Sequence, residues 1–252
     1  MTTRETAPDL QVRVLEGLKG IPADAWDALL CPEDTPFVRY DWLESLEAAG
    51  CVTPEVGWLP QHITLWQGER LVAAMPVYVK GSLEGEFIFD HAWENAAARM
   101  GISYYPKLIS AVPFTPSTGA RLLVPSGEGR ELYAPLLAEA LRTLTGHLEL
   151  SGAHVLFPNP RDLATLEAAG YVHRLGIQYH WHNRGYTSYE DFLGSFNARR
   201  RHQLRRERRE VQQSGIMTRT HRGTEITDEV LEAMYRFYLR TVERFFPWTR
   251  QY

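Results

Sequence analysis

The chain has 252 residues, of which 44% are hydrophobic and 12% aromatic, and its formal net charge is −4 at pH 7. This composition excludes a globally disordered chain, and the acidic balance argues against a general nucleic-acid binder while leaving room for a local basic site. Cys31 and Cys51 are too few for a disulfide scaffold, so we expect a cytoplasmic protein. Residues 1–10 have no apolar core and predict a disordered tail instead of a signal peptide. The longest apolar run, 71–79, is too short to span a membrane.

The first two thirds of the chain alternate between strand and helix patterns. The spacing of apolar residues and turn signals predicts, up to residue 100, a strand over 12–18, helices over 22–30 and 36–49, a hairpin of 62–66 with 71–80, a mobile loop over 81–86 and a helix over 92–100. From there to residue 181 it predicts strands over 108–112 and 121–124, a helix over 131–150, a strand over 154–157, a helix over 160–169 and one or two strands over 171–181. This order predicts an α/β fold with a mixed sheet flanked by helices.

After residue 181 the pattern restarts. It predicts helices over 189–194 and 197–214, a strand over 216–220 and a helix over 227–246. The last residues are strongly apolar, with Phe245, Phe246 and Trp248 close together and Tyr252 at the end. Because large exposed apolar patches are costly or functional, we expect the chain to be a truncated portion of a longer protein and to self-associate as a 252-residue chain.

The densest group of polar side chains lies between residues 104 and 124. Pro113, Pro116 and Gly119 punctuate two short strands there, so the polar groups beside them are held on a stiff turn. These groups include Tyr104, Tyr105, Lys107, Thr115 and Arg121, and Lys107 is one of three lysines in a chain with 24 arginines. Such a cluster suits an anionic or carbonyl-bearing ligand. The alternative is an ordinary hairpin with these side chains on its surface.

A second charged feature is a run of seven arginines between residues 199 and 209. On a helix, Arg201, Arg205 and Arg209 stack at i, i+4 spacing, where like charges repel. Guanidinium groups match phosphate oxygens bidentately, so the run suits tRNA, a nucleotide-linked precursor, CoA or a membrane surface. The alternative is a solvated helix face without a ligand.

Other motifs give weaker indications. Asp90, His91 and Glu94 precede or begin a short helix and are candidates for the base that a transferase needs; each also fits a surface or capping role. His180 and His182 share a strand face, but two histidines without a third ligand predict no metal site. The sequence has no Walker A, GxSxG, HExxH or CxxC motif, which argues against kinase, serine-hydrolase and zinc-protease activity.

Three strings carry a resemblance to a known family: Asp-His-Ala-Trp-Glu-Asn at 90–95, Tyr-Tyr-Pro-Lys-Leu at 104–108 and Pro-Phe-Thr-Pro at 113–116. From about Pro36 to the C-terminus the chain resembles the FemAB-like peptidoglycan biosynthesis/recognition family, within the GNAT superfamily of acyl-CoA N-acyltransferases. The resemblance implies two GNAT-like modules in tandem, a first over 11–181 and an incomplete second over 182–252 that carries the basic helix 197–214. It also implies transfer of an acyl or aminoacyl group to an amine.

The residues and the resemblance together give a set of expected roles. Catalytic roles are expected for Asp90, Tyr104, Tyr105 and Lys107. Substrate binding is expected for Trp93, Asn95, Thr115, Arg121, Arg201, Arg205 and Arg209. In GNAT enzymes a glycine-rich turn before a helix presents N–H groups to the CoA pyrophosphate, which implies cofactor contacts for Ser126, Gly127, Gly129 and Arg130; a plain turn leading into a helix is the alternative.

The resemblance also implies the ligands. The donor would be acyl-CoA or aminoacyl-tRNA, the acceptor a small-molecule or nucleotide-linked amine, and tRNA a further partner; no metal is expected. The alternative function is a non-catalytic binding module that recognises an anionic ligand, such as a cell-wall precursor or a nucleic acid.

Overall fold

The structure, a computed structural model, describes residues 10–127 and 129–245. The predicted tail before Leu10 and the apolar end at Phe246, Trp248 and Tyr252 lie outside these residues. Contacts between Cα atoms divide the chain into one unit that ends at Gly176 and a second that begins at Ile177. Each unit is described by itself.

The first unit contains two small sheets and five α-helices among its described residues. The strands are β1 Leu10–Leu15, β2 Trp58–Pro60, β3 His62–Gln67, β4 Arg70–Met75, β5 Tyr78–Lys80, β6 Lys107–Ser110 and β7 Ala153–Val155. The helices are α1 Ala23–Asp27, α2 Tyr40–Ala48, α3 His91–Arg99, α4 Arg130–His147 and α5 Pro160–Ala168, with 3-10 turns at Pro36–Val38 and Pro54–Val56. The first sheet has the antiparallel order β1-β3-β4, and the second has the order β2-β5-β6-β7 with β6 and β7 parallel. The predicted mixed α/β fold is confirmed.

Helix α4 covers the core of the first unit. Its residues Leu137 and Leu141 pack with side chains from both sheets, including Ile63, Leu65 and Leu108. A second cluster packs helices α1 and α2 against β4 and is formed by Trp26, Leu29, Val38, Leu43, Leu71, Ala74 and Leu123, among others. Helix α4 therefore covers part of both sheets, and helices α1 and α2 cover the other face of the first sheet at β4.

The predicted strand 71–80 is in fact two strands, β4 and β5, which belong to different sheets. Pro76 stands between them, and because proline has no N–H group it cannot continue a ladder of hydrogen bonds. The neighbouring Val77 N–H is satisfied by Nδ1 of the buried His62 at 3.2 Å, and His62 Nε2 lies 2.8 Å from Glu47 Oε1. A histidine and a glutamate thus stabilise the place where the chain passes from one sheet to the other.

The predicted strand 121–124 is wrong. Only one isolated bridge, between Leu123 and Ala74, is found in this stretch of the structure. The reason is that the backbone N–H groups of Arg121 and Leu122 donate to Asp162 Oδ2, at 2.6 and 3.0 Å, so they are not available for a strand partner.

The predicted strands 171–181 and 216–220 are also wrong, since neither stretch has regular strand structure. In the first, apolar residues are strongly exposed: Val172 is 89% and Leu175 is 88% exposed. The apolar alternation is that of a strand, but in the part of the chain that the structure describes no neighbouring strand pairs with it.

The second unit is helical in its described residues. The three predicted helices are confirmed as α6 Tyr189–Gly194, α7 Ala198–Gln213 and α8 Asp228–Phe245. Ser188 and Asn197 cap α6 and α7, because each side-chain oxygen accepts a hydrogen bond from the first turn. None of the helices within residues 10–127 and 129–245 combines the length and the apolarity that crossing a membrane requires.

Candidate functional site

A buried lysine at the start of β6 is the centre of the candidate site. Lys107 is fully buried, and its Nζ lies 2.9 Å from Glu86 Oε2 and 3.5 Å from Asp90 Oδ2. Both carboxylates are also buried. Charges at such depth are tolerated only when they are paired and hydrogen-bonded, so these three groups hold one another in place.

Two tyrosines complete the inner part of this cluster. Tyr104 donates its hydroxyl to Asp90 Oδ2 at 2.6 Å, and Tyr105 donates to Glu86 Oε1 at 3.0 Å. The Lys107 ammonium lies 4.7 Å from the centre of each phenol ring, within the range of cation–π attraction. The four predicted catalytic residues, Asp90, Tyr104, Tyr105 and Lys107, are therefore brought together.

The outer side of the cluster reaches the surface through three side chains. Arg174 donates from Nη2 to Asp90 Oδ1 at 2.8 Å, and its guanidinium stacks 5.1 Å from the centre of the exposed Trp93 ring. His154 of β7 places Nδ1 3.4 Å from Lys107 Nζ and 3.8 Å from Asp90 Oδ2, and 25% of its side chain is exposed. Trp93, Arg174 and His154 are thus accessible to a ligand, and Tyr104 and Tyr105 are partly exposed beside them.

The environment sets the protonation of each group. Burial would raise the pKa of Asp90, but hydrogen bonds from Arg174 and Tyr104 and the charge of Lys107 lower it, so this carboxylate is ionised. Burial raises the pKa of Glu86 in spite of its contact with Lys107. Burial and the adjacent carboxylates raise the pKa values of both tyrosines, which keeps the phenols protonated as hydrogen-bond donors.

His154 differs from the rest of the cluster. Burial and the positive charge of Lys107 lower its pKa to about 4, so its imidazole is neutral at pH 7. A neutral, partly exposed imidazole can accept a proton, whereas the tyrosines are fixed as donors to carboxylates. Among the described residues of this cluster, His154 best fits the role of a proton acceptor.

The lowered pKa of His154 predicts a pH-dependent stability. The imidazole of His154 takes up a proton near pH 6.5 in the unfolded chain but only near about 4 in the folded chain. The neutral His154 therefore contributes fully to the free energy of unfolding above pH 6.5, and this contribution is lost as the pH falls from 6.5 towards 4. We expect the free energy of unfolding to fall by about 1–3 kcal/mol more in the native protein than in His154→Gln over this range. Urea unfolding at several pH values measures the difference, with the exposed His147→Gln as the matched control. Identical pH profiles for the native protein and His154→Gln would contradict the assignment.

Arg121 and the residues near it do not join this site. The Arg121 guanidinium is buried and donates to the backbone carbonyls of Ser117, Ala120 and Leu156 at 2.7 to 2.9 Å. The prediction that Arg121 binds substrate is therefore corrected to a structural role, because its donors already hold the proline-rich loop. The Thr115 hydroxyl donates within the same loop, to the Pro113 carbonyl, and Asn95 is exposed on α3.

The glycine-rich turn gives little support for cofactor binding. Arg130 is buried and pairs with Asp162 and the Leu122 carbonyl, so its charge is already neutralised. Ser126 Oγ lies 3.2 Å from Cys31 Sγ, and Gly129 precedes the first turn of α4. A nearby cavity of about 280 Å³ has two acidic and two basic side chains in its wall, so it offers no net positive charge to a phosphate; its lining includes Cys31, Glu33, Asp34, Arg130, Asn159 and Arg161. Gly127 and Gly129 are not among its lining residues.

The arginine run forms helix α7 of the second unit, as predicted. Arg205 pairs with Glu190 at 2.5 Å and Arg208 stacks on the Tyr189 ring, so α6 neutralises part of the charge. Arg201 and Arg209, by contrast, have no acidic partner among the described residues. Of the three arginines expected to bind substrate, Arg201 and Arg209 are therefore the two whose charge remains for a phosphate. Among the residues that the structure describes, no three His, Cys, Asp or Glu side chains are placed so that together they could hold a metal ion.

Three residues of the buried cluster were missed by sequence reasoning. Glu86 lies in a loop predicted to be mobile and Arg174 in a stretch predicted to be a strand, so neither carried a signal of burial or contact. His154 begins a predicted strand, and its position next to Lys107 follows from the parallel pairing of β6 and β7, with Ile109 opposite His154. The sequence pattern predicts a strand there but does not identify its neighbour.

A comparison with protein-family models identifies the family of the chain. Residues 17–252 match the FemAB-like family, described as peptidoglycan biosynthesis/recognition. The chain belongs to this FemAB-like family, so the resemblance inferred from the sequence is confirmed. Searches against curated proteins and against solved structures found no match.

Proposed function

We propose that the protein transfers an acyl or aminoacyl group to an amine in peptidoglycan-related metabolism. Membership of the FemAB-like family supports a peptidoglycan-related transferase in general terms. The observation that carries the finer proposal is the cluster around Lys107, in which an ionised Asp90 orients both Tyr104 and Arg174 beside a neutral His154. Such a preorganised set of charges and donors suits a reaction that develops charge on a carbonyl oxygen.

The proposed reaction forms an N–C bond and breaks the bond from the acyl carbon to its carrier. The amine nitrogen attacks the carbonyl carbon, negative charge gathers on the carbonyl oxygen, and the amine loses a proton. His154 would accept that proton transiently and pass it to the departing carrier, and Asp90, 3.8 Å away, would offset part of the repulsion between the imidazolium and Lys107. Arg174, half exposed and held by Asp90, would face the developing oxyanion, and Trp93 would provide an apolar surface for the substrate.

The donor and the module arrangement are part of the same proposal. Two GNAT-like modules in tandem would bind acyl-CoA or aminoacyl-tRNA as donor and a small-molecule or nucleotide-linked amine as acceptor. The unpaired Arg201 and Arg209 of α7 support a phosphate-bearing ligand for the second unit, because guanidinium groups bind phosphate bidentately.

The test is a transfer assay with mass-spectrometric detection of the product, offering acyl-CoA or aminoacyl-tRNA donors with amine acceptors. We expect His154→Gln to lower turnover by about 100-fold or more, since a general base contributes that much. His147→Gln changes an exposed histidine in the same way and should leave turnover unchanged. Equal turnover in the two variants would remove His154 from the mechanism.

A second candidate function is recognition of an anionic ligand without chemistry. Two observations favour it: Lys107 is fully buried, and Arg201 and Arg209 have no acidic partner among the described residues. The acyl donors and amine acceptors of the transfer assay also distinguish the two functions. Salt-dependent binding of tRNA or a nucleotide-linked precursor without any product would favour recognition, and product formation would reject it.

A further inference from the structure

Two buried lysines lie side by side on the second sheet. Lys80 of β5 and Lys107 of β6 are cross-strand partners, and both are fully buried. They are two of the three lysines in the chain; the third, Lys19, is exposed. Like charges opposite each other on a sheet repel, so this pair needs an anion nearby.

Lys80 is poorly satisfied for a buried ammonium. Its Nζ donates to Ser82 Oγ at 3.2 Å and lies 4.8 Å from the centre of the Trp58 ring. An ammonium group has three donors, and Ser82 is its hydrogen-bond acceptor among the described residues. Burial lowers the pKa of Lys80 to about 8, while the charges of Glu86 and Glu84 oppose that shift. Lys80 therefore has donors to spare for an anion, whereas Lys107 is already paired with Glu86 and Asp90.

The anion that occupies this place is an internal one, Glu86. Its carboxylate bonds to Lys107 and Tyr105, and its charge acts on both lysines. Glu86 comes from the loop 81–89 between β5 and α3, not from a sheet or helix. The Glu84 carbonyl of the same loop accepts a hydrogen bond from the Trp58 indole at 3.2 Å, so the loop closes over the lysine pair.

The backbone of this loop is strained. Phe87 and Phe89 have φ angles of 60° and 50°, in the left-handed region that side chains with a Cβ rarely adopt. Both phenylalanine rings are exposed, and Phe89 is 73% exposed, whereas Ile88 between them packs against the cluster that contains Trp58 and Tyr78. The contacts of Glu86 and Ile88 together offset the strain, and a ligand that replaced Glu86 would remove the polar part of that compensation.

We propose that Lys80, Lys107 and the Tyr105 hydroxyl form a subsite for an anionic group, a carboxylate or a phosphate, and that the loop 81–89 is a displaceable lid whose Glu86 carboxylate occupies this subsite. The inference rests on the proposed function for the identity of the substrate that carries the anion. Its test, however, requires no turnover.

The three lysines allow a direct measurement by amine-reactive labelling and mass spectrometry, with Lys19 as the internal reference. In the native protein we expect Lys80 and Lys107 to react at least about tenfold more slowly than Lys19, because both are buried. Glu86→Gln removes the internal anion and should speed their labelling several-fold. Inorganic phosphate or acetate should restore protection in that variant, and the more effective of the two identifies the preferred anion. Glu84→Gln, an exposed neighbour in the same loop, is the matched control and should behave as the native protein.

A second variant tests the lid without removing a buried charge. Glycine accepts positive φ freely, so the double variant Phe87→Gly/Phe89→Gly should relax the closed loop and slow the labelling of Lys80 and Lys107. If Glu86→Gln labels like the native protein, if neither anion protects it, or if the glycine variant labels at the native rate, the lid is rejected. Should Glu86→Gln unfold and expose all three lysines equally, the glycine variant decides alone. If an added anion protects the lysines of Glu86→Gln but the protein transfers no acyl group, the subsite is retained and the transferase activity is rejected. If the protein transfers acyl groups but no anion protects the lysines, the transferase activity is retained and the subsite is rejected.

Discussion

Replacing Lys107 with methionine is expected to lower the free energy of unfolding by about 3–5 kcal/mol, the cost of leaving a buried ion pair without one partner. Glu86 and Asp90 would then remain buried near each other without the cation that separates their charges. Urea denaturation followed by tryptophan fluorescence measures the loss. The exposed Lys19→Met is the matched control and should change stability by less than about 0.5 kcal/mol.

The double variant Lys107→Met/Glu86→Gln separates charge from packing. Because glutamine keeps the shape of Glu86 without its charge, we expect the double variant to be more stable than Lys107→Met alone. A loss below about 1 kcal/mol for Lys107→Met, the size of an exposed ion pair, would show that the cluster is solvated and is not a buried network.

Asp162→Asn is expected to have a comparable effect, about 3 kcal/mol or more, because it breaks a buried ion pair and removes acceptors from the backbone. Asp162 is fully buried and accepts hydrogen bonds from the N–H groups of Arg121 and Leu122 and from the Arg130 guanidinium. It thereby joins α5, α4 and the segment that was wrongly predicted to be a strand. Equilibrium unfolding in urea gives the measurement.

The matched control is Asp41→Asn, which changes an exposed aspartate in the first turn of α2 and should cost no more than about 0.5 kcal/mol. A double-mutant cycle with Arg130→Met then isolates the ion pair. If Asp162→Asn and Arg130→Met prove additive, the two side chains do not interact and the stability of this region comes from packing alone.

Local patterns in the sequence were sufficient for most helices and for the centre of the site. The helix 189–194 was predicted with its observed bounds, and the strings at 90–95 and 104–108 contain the four predicted catalytic residues, Asp90, Tyr104, Tyr105 and Lys107, which lie together in the structure. The helices depend on contacts between near neighbours, and the site residues lie in strings that resemble those of the family. Both kinds of feature can be read from a single sequence.

The remaining features depend on partners distant in the sequence. Residues 121–124 have the composition of a strand, but Asp162, some 40 positions away, takes their N–H groups. Arg121 and Arg130 resembled ligand-binding cations because a sequence does not show that a guanidinium is buried against carbonyls or a carboxylate. Glu86 was assigned to a mobile loop for the same reason, since its burial depends on Lys107 and Tyr105.

The parallel pairing of β6 with β7 has a consequence for the order of folding. The β3–β4 hairpin closes over a two-residue connection. The parallel strands β6 and β7 can pair only after the chain from Ser110 to Ala153, which includes α4, has folded back. Long loops lose more entropy on closure, so contacts between distant segments form late. Lys107 and His154 lie on those two late strands. We therefore expect the charged centre of the molecule to be completed after the β3–β4 hairpin has formed.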